Sequence, residues 1–158
     1  MVIMPMVDTS NVTNFYGAFS GCKCLQSIPQ LDTSNATRMG NMFYMCYGLK
    51  NLPMLDGGKV TDIQDAFSIC QSLTNFGGVK DLGKSYSTNT PANASSCVLN
   101  LSHSSNLTHD SLMNVINNLY DIKTKGCNNQ KLNLGSTNLA KLTAEEIAIA
   151  TNKGWNVT

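Results

Sequence analysis

Six cysteines are the residues of this 158-residue chain that could most readily do chemistry. Three of them, Cys22, Cys46 and Cys70, occur at intervals of 24 residues. In stacked repeat units they would lie about 4.8 Å apart with parallel Cβ vectors, which does not give the torsion angle of a disulfide bond. We therefore interpret them as a column of buried thiols. Cys22-Lys23-Cys24 has the spacing of two metal ligands, but no second pair accompanies it.

The histidines and aspartates give weaker chemical patterns. His103 and Cys97 could act as a base and a nucleophile, but no third residue is identified to orient the imidazole. Asp8, Asp32 and Asp56 also occur 24 residues apart, so this column would either offer oxygen ligands to a Ca²⁺-like cation or, as we favour, cap turns. No glycine-rich phosphate loop or hydrolase motif occurs. We predict no catalytic activity, no metal site and no cofactor.

The same 24-residue spacing runs through the whole first half of the chain. Asp-Thr-Ser-Asn follows both Val7 and Leu31, and a third copy begins at Leu55 with Asp-Gly-Gly-Lys after it. A single unit of this kind cannot bury its own apolar side, so neighbouring units must stack on one another. Three sets of apolar residues keep one register and should form the core columns: Phe19, Phe43 and Phe67; Cys22, Cys46 and Cys70; Leu25, Leu49 and Leu73.

Each unit should contain a short extended segment, a turn and a short helix. Leu25, Ile28 and Leu31 should point inward from a short strand, which Pro29 interrupts because proline cannot donate to a ladder. Asp-Thr-Ser-Asn has the side chains that favour turns. Over residues 39–49 the apolar positions are three and four apart, which predicts a short helix or 3₁₀ turn.

The last third of the chain has a longer repeat. Leu-Asn-Leu at 99–101 recurs at 132–134, and a further strand is predicted at 155–157. We expect these three strands to continue the same parallel stack. Amphipathic helices are predicted after Thr108 and after a capping box at Thr143 to Glu146.

These patterns divide the chain into three parts. Residues 1–82 carry the 24-residue units, and the first unit is truncated because the chain starts within a repeat. We interpret this start as that of a fragment of a longer protein, with a shortened first unit as the alternative. Residues 83–97 are rich in Ser, Thr and Asn and should form a loop or a degenerate unit. Residues 98–158 should cap the same structure.

Composition and charge exclude two classes of partner. The net charge is +1, charged residues make up 13% of the chain, and Arg38 is the only arginine. Without a cluster of basic residues we expect no nucleic-acid partner. The chain has no run of 18 apolar residues, so we expect no membrane insertion.

The repeated motif carries a family resemblance. Asp-Thr-Ser-Asn-Val-Thr-Asn, followed by Phe-x-x-Cys-x-x-Leu-x-x-Ile-Pro, resembles the bacterial leucine-rich repeats of the BspA-like class. The likeness covers roughly residues 1–82 and is weaker over 98–158. It implies an α/β solenoid, namely a right-handed leucine-rich repeat with short parallel strands, short helical or 3₁₀ segments and longer helices in its C-terminal units.

The resemblance also implies a function. The class is associated with surface-exposed or secreted proteins of gut and oral bacteria, and with phage and mycoplasma proteins. We therefore expect a non-catalytic adhesion module that binds a protein or glycan on a host or neighbouring cell. A structural or receptor-binding segment of a larger assembly, such as a phage tail protein, is the alternative. The expected location is extracellular or at the cell surface, with a virion as the alternative.

The expected binding residues lie between the apolar positions of each unit. Along the strands they should point outward, and on the second half of each unit tyrosine combines contact area with a hydroxyl group. The open edge of the first unit also suggests end-to-end self-association. The candidate binding residues are Gln26, Ser27, Gln30, Lys50, Asn51 and Met54 on the strand side, and Tyr16, Tyr44 and Tyr47 on the other side.

Overall fold

A computed structural model describes residues 2–87, 90, 97–127 and 130–158. Within these residues the protein consists of several short parallel strands with a few helices. The elements are β1 (Val2–Ile3), β2 (Leu25–Ser27), β3 (Asn51–Leu52), β4 (Leu55–Asp56), β5 (Asn75–Phe76), β6 (Val79–Lys80), β7 (Leu99–Asn100), α1 (His109–Asn118), a 3₁₀ helix (Ile122–Lys125), β8 (Gln130–Asn133), α2 (Gly135–Leu139), α3 (Ala144–Asn152) and β9 (Trp155–Val157).

Strands from successive repeat units pair in parallel at the 24-residue step. The first sheet has the order β1-β2-β3-β5, and Ser27 pairs with Asn51, which pairs with Asn75. A second sheet pairs β4 with β6, so that Leu55 lies opposite Val79. Residues that occupy the same position in the repeat are therefore neighbours across the unit-to-unit contact.

The second half of each unit is a chain of turns. Of the two predicted alternatives, a short helix or a 3₁₀ turn, the helix is wrong, and the observed turns close by bonds to the carbonyl three residues back, as in a 3₁₀ turn. The amide of Phe19 donates to the carbonyl of Met42 at 2.9 Å, and the amide of Phe43 donates to the carbonyl of Ala66 at 2.8 Å. In a helix these amides would bond four residues back within their own unit. Here every second backbone amide donates to a carbonyl of the next unit. The amides between them close turns within their own unit; for example, the amide of Cys46 donates to the carbonyl of Phe43.

A left-handed residue at every fourth position makes these turns possible. Gly17 (φ +65°) and Gly21 (φ +74°) fill the two positions in the first unit, where glycine meets no steric penalty. The later units place non-glycine residues there: Asn41 and Met45, then Asp65 and Ile69, with φ between 53° and 64°. The spacing of four residues between turns mimics the spacing of a helical face, which is why the sequence pattern suggested a helix.

The aromatic rings stack in one column through the core. Phe19 and Phe43 lie 5.2 Å apart between ring centroids with an interplanar angle of 6°, and Phe43 and Phe67 lie 6.0 Å apart at 17°. Phe76 joins the far end, 4.9 Å from Phe67. Leu25, Leu49 and Leu73 are buried in the same hydrophobic core.

The first unit departs from the predicted core columns. Cys46 and Cys70 are fully buried, but Cys22 is exposed and Phe19 is only half-buried. Among the described residues, no turn chain of a preceding unit covers this face. The prediction of three buried thiols is therefore wrong for Cys22, because burial in a stack depends on a neighbour on each side.

After the third unit, α1 takes the place that a further strand would occupy. Ser111 Oγ accepts a hydrogen bond from the amide of Phe76 at 2.9 Å, and the amide of Thr108 donates to the carbonyl of Thr74 at 3.0 Å. The strands β7, β8 and β9 pair in parallel as predicted. Leu99 lies opposite Leu132, which is the register that the repeated Leu-Asn-Leu predicts, and Leu132 lies opposite Val157. Within the described residues they form their own sheet and do not extend the first one, because α1 covers its last strand.

The predicted starting points of the two helices in the last third of the chain are confirmed. Thr108 caps α1, and Thr143 caps α3 in a capping box with Glu146. The short helix α2 was not predicted. The predicted loop over 83–97 falls in part on residues 88, 89 and 91–96, which lie outside the described residues.

Candidate binding surface

Side chains join successive units at one corner, where each unit passes from its strand into its turn. The side-chain Nε2 of Gln30 donates to the backbone carbonyl of its neighbour Leu31 at 3.0 Å and to that of Met54 at 2.7 Å. The hydroxyl of Thr33 donates to the carbonyl of Asp56 at 3.1 Å and accepts from its amide at 2.7 Å. Two side chains therefore bridge the units at this corner.

A groove of about 580 Å³ lies along this corner. Leu31 and Leu55 form its buried floor, and Met6 and Met54 stand at its rim with exposed fractions of 85% and 36%. Exposed methionines offer an apolar, flexible contact surface that adapts to different ligands. We call this feature the corner groove; its lining residues are Met6, Gln30, Leu31, Asp32, Thr33, Ser34, Met54, Leu55, Asp56 and Lys80.

A polar depression extends the corner groove toward Asp81 and Lys84. It measures about 250 Å³ and shares Ser34 and Asp56 with the corner groove. Its other side chains alternate in charge, and Lys84 lies 3.8 Å from Asp81. The surface at this corner is therefore apolar in its centre and of mixed charge along one end.

The aspartate column caps turns beside the corner groove. Asp8, Asp32 and Asp56 each accept a hydrogen bond from the amide two residues on, at 2.9 to 3.0 Å. Hydrogen bonds from the backbone amide and side chain of Ser10 lower the pKa of Asp8. Those from the side chain and amide of Ser34 lower the pKa of Asp32. In the described part of the chain, no three His, Cys, Asp or Glu side chains are grouped as a metal site.

The strand-side residues predicted to bind divide between two places. Gln30 and Met54 line the corner groove. The others belong to the first sheet or border it, where Lys50 and Asn51 are exposed and Gln26 and Ser27 are half-buried. Asn75 donates to the side chain of Asn51 at 2.8 Å, so this amide is part of a ladder between units.

The three predicted tyrosines lie on the turn chains, and none of them lines the corner groove. Tyr16 is half exposed, and the guanidinium of Arg38 lies 4.9 Å from its ring centroid. Tyr44 and Tyr47 are half-buried, and the ammonium of Lys23 is 5.9 Å from the ring of Tyr47. The predicted set is thus spread over three places: the corner groove, the first sheet and the turn chains.

Sequence reasoning missed Met6 and Lys80 as groove residues. The signal for Met6 was present, since Met6, Gln30 and Met54 occupy one position of the repeat. The signal for Lys80 was hidden, because this position carries Asp in the preceding units and the copies diverge after Lys80. The pairing of Cys97 with His103 finds no support, since the thiol is buried and the imidazole is exposed.

The buried thiols are hydrogen-bonded across units. Cys46 Sγ donates to the carbonyl of Phe19 at 3.0 Å, and Cys70 Sγ donates to that of Phe43 at 3.2 Å. Burial raises the pKa of Cys46 to about 11 and that of Cys70 to about 12. Because the thiolate is the nucleophile, burial and the raised pKa values make these two thiols poor nucleophiles at neutral pH.

Alkylation should therefore separate the cysteines into two groups. We expect iodoacetamide to modify Cys22 and Cys24 in the folded protein, and to modify Cys46 and Cys70 about 100-fold more slowly, since they react only after local opening. Peptide mapping by mass spectrometry over a time course measures the rates, with urea-unfolded protein as the control. Equal rates for Cys22 and Cys46 in the folded protein would contradict the buried thiol ladder.

Comparison with known proteins gives one result. A model of the family described as "Mycoplasma protein of unknown function, DUF285" matches residues 4–106. This match is consistent with the resemblance to BspA-like repeats. No curated protein and no solved structure matches the chain. None of the helices in the described residues is long and apolar enough to span a membrane.

Proposed function

The chain belongs to the DUF285 family of Mycoplasma proteins of unknown function, and we propose that it is a non-catalytic binding module that holds a protein or glycan ligand in the corner groove. The family consists of surface-protein repeats, which supports a location at the cell surface or outside the cell. Adhesion to a host or neighbouring cell is the role we assign to it.

The proposed architecture is a right-handed leucine-rich-repeat solenoid. Parallel pairing at the 24-residue step and the stacked rings of Phe19, Phe43 and Phe67 support it. In such an architecture the core columns stay constant while surface positions vary between units, so an extended surface can be adapted to a ligand without loss of the fold.

The corner groove is the observation that carries the proposed function. It combines exposed apolar side chains at Met6 and Met54 with hydrogen-bonding groups on Ser34 and Asp56 and a cation on Lys80. Binding sites commonly join an apolar surface with a few polar groups that fix the orientation of the ligand. Both a peptide and a glycan present this mixture of apolar and hydroxyl or amide surface.

A charge substitution in the groove tests this proposal. We expect Met6→Asp combined with Met54→Asp to lower binding at least tenfold, because two carboxylates would lose hydration when the ligand covers them. The probes are a glycan array and an array of extracellular-matrix proteins, on which the unmodified chain first identifies its targets. Dissociation constants for those targets are then compared.

The matched control adds the same charge elsewhere. Thr137→Asp combined with Asn156→Asp changes two exposed residues outside the groove and should leave binding unchanged. Equal loss of binding in both double variants, or no loss in the groove variant, would contradict a ligand site in the corner groove. A chain that binds no probe on either array would contradict the adhesion role.

A further inference from the structure

Among the described residues nothing covers the outer face of the first unit, which repeats an interface that the protein uses twice internally. This face, which we call the open face, contains an apolar depression of about 650 Å³ lined by Met4, Pro5, Phe19, Gly21, Cys22, Lys23, Cys24 and Leu25. The equivalents of Phe19 and Cys22 in the second unit are Phe43 and Cys46, which are fully buried against the first unit. The open face therefore has the side chains of a buried contact.

The backbone of the open face has a defined hydrogen-bond polarity. In the second unit, the carbonyls of Arg38, Gly40, Met42 and Tyr44 each accept an amide from the turn chain of the first unit, at 2.7 to 2.9 Å. Their counterparts in the first unit are the carbonyls of Asn14, Tyr16, Ala18 and Ser20. Among the described residues no backbone amide donates to these four carbonyls. The open face thus presents a row of acceptors.

We propose that the open face binds a further repeat unit of the same 24-residue class, and not a second copy of itself. A unit of this class presents the required row of amides: Phe15, Gly17, Phe19 and Gly21 donate in this way to the second unit, and Met39, Asn41, Phe43 and Met45 donate to the third. It also supplies a phenylalanine to continue the ring column. The site is therefore continuous with an interface already present inside the protein.

The row of carbonyl acceptors on the open face opposes self-association of two copies through this face. Two copies that met through it would bring one row of carbonyls against another, and neither row could find donors. The buried acceptors would then lack partners, which opposes association even though the apolar areas match. End-to-end dimerisation through this face, expected from the sequence, is the competing outcome.

An added half-unit tests the proposal on the full chain. Met1 is equivalent to Leu49, so a copy of residues 37–48 placed directly before Met1 supplies a turn chain in the correct register. The added unit should cover Cys22 in the way that the first unit covers Cys46. We therefore expect the alkylation rate of Cys22 to fall about 100-fold. Cys24→Ser is included in all variants so that a single exposed thiol is followed.

Two controls distinguish binding from general effects. The same residues in scrambled order, placed before Met1, should leave Cys22 as reactive as in the unextended chain. Slow alkylation of Cys46 and Cys70 in every variant checks that the units remain folded. Protection by the ordered copy alone supports the proposal; no protection, or equal protection by the scrambled copy, overturns it.

The unextended chain provides the last comparison. Sedimentation velocity should give a monomer over a wide range of concentrations, with a constant alkylation rate for Cys22. A dimer that protects Cys22 as the concentration rises would overturn the proposal in favour of a second copy as the occupant.

Discussion

Phe43→Ala should lower the free energy of unfolding by about 3–5 kcal/mol, the range for truncation of a buried phenylalanine. The ring of Phe43 is fully buried and stacks on Phe19 at 5.2 Å and on Phe67 at 6.0 Å. Its loss leaves a cavity between the other two rings. The backbone cannot move to fill this space, because the backbone amide of residue 43 still donates to the carbonyl of Ala66. Urea unfolding followed by circular dichroism measures the change.

Phe19→Ala is the matched control for this prediction. The same side chain is removed from the same column, but Phe19 is half-buried and stacks on one ring of that column instead of two. We expect a smaller loss, because less apolar surface returns to water and the cavity opens to solvent. Equal losses for Phe19 and Phe43, or a loss below about 1 kcal/mol for Phe43, would contradict the ring column as the centre of the core.

Trp155→Ala should have an effect of similar size, about 3–5 kcal/mol, at the other end of the protein. Trp155 lies in β9 with 2% of its surface exposed, and its ring centroid is 6.2 Å from that of Tyr86. Its indole Nε1 donates to the carbonyl of Tyr120 at 3.0 Å. The side chain of Trp155 thus connects the last strand with Tyr86, which follows the third unit, and with Tyr120, which follows α1.

Trp155→Phe separates the packing of this residue from its hydrogen bond. The substitution retains an aromatic ring but removes the donor to Tyr120, so we expect a loss of about 1–2 kcal/mol. Thermal unfolding of the three proteins measures the series. If Trp155→Ala unfolds at the temperature of the unmodified chain, then β9 does not hold the C-terminal segment to the repeat units.

The repeat made the pairing of strands predictable from the sequence. Alignment of Leu25, Leu49 and Leu73 gives the register that places Ser27 beside Asn51 and Asn51 beside Asn75. In the last third, the recurrence of Leu-Asn-Leu gives the pairing of Leu99 with Leu132. In a repeat protein, the spacing between copies along the sequence therefore predicts which residues pair between neighbouring strands.

Two features could not be predicted because the local pattern allows more than one structure. Apolar residues three and four apart fit a helix and also fit a chain of turns; the distinguishing signal, Gly17 and Gly21, is replaced by Asn41 and Met45 in the next unit. The position of α1 over β5 depends on Ser111 accepting from the amide of Phe76, a contact that spacing does not reveal.

The candidate site was predictable in part. Gln30 and Met54 were identified from their outward positions on the strands, and both line the corner groove. Gln30 and Thr33 bridge the units at the corner where the groove lies, and these contacts between units depend on the fold. The tyrosines were identified by residue type alone, and that criterion placed them on a different surface.

Scalar coupling across hydrogen bonds, measured by NMR, tests the central claim most directly, which is that every second amide of a turn chain bonds to the next repeat unit. The structure leads us to expect a coupling between the amide nitrogen of Phe43 and the carbonyl carbon of Ala66, with the same 23-residue offset between Phe19 and Met42. A coupling from the amide of Phe43 to the carbonyl of Met39 would instead mean a helix within each unit, and would contradict the stacked arrangement on which the open face and the corner groove both depend.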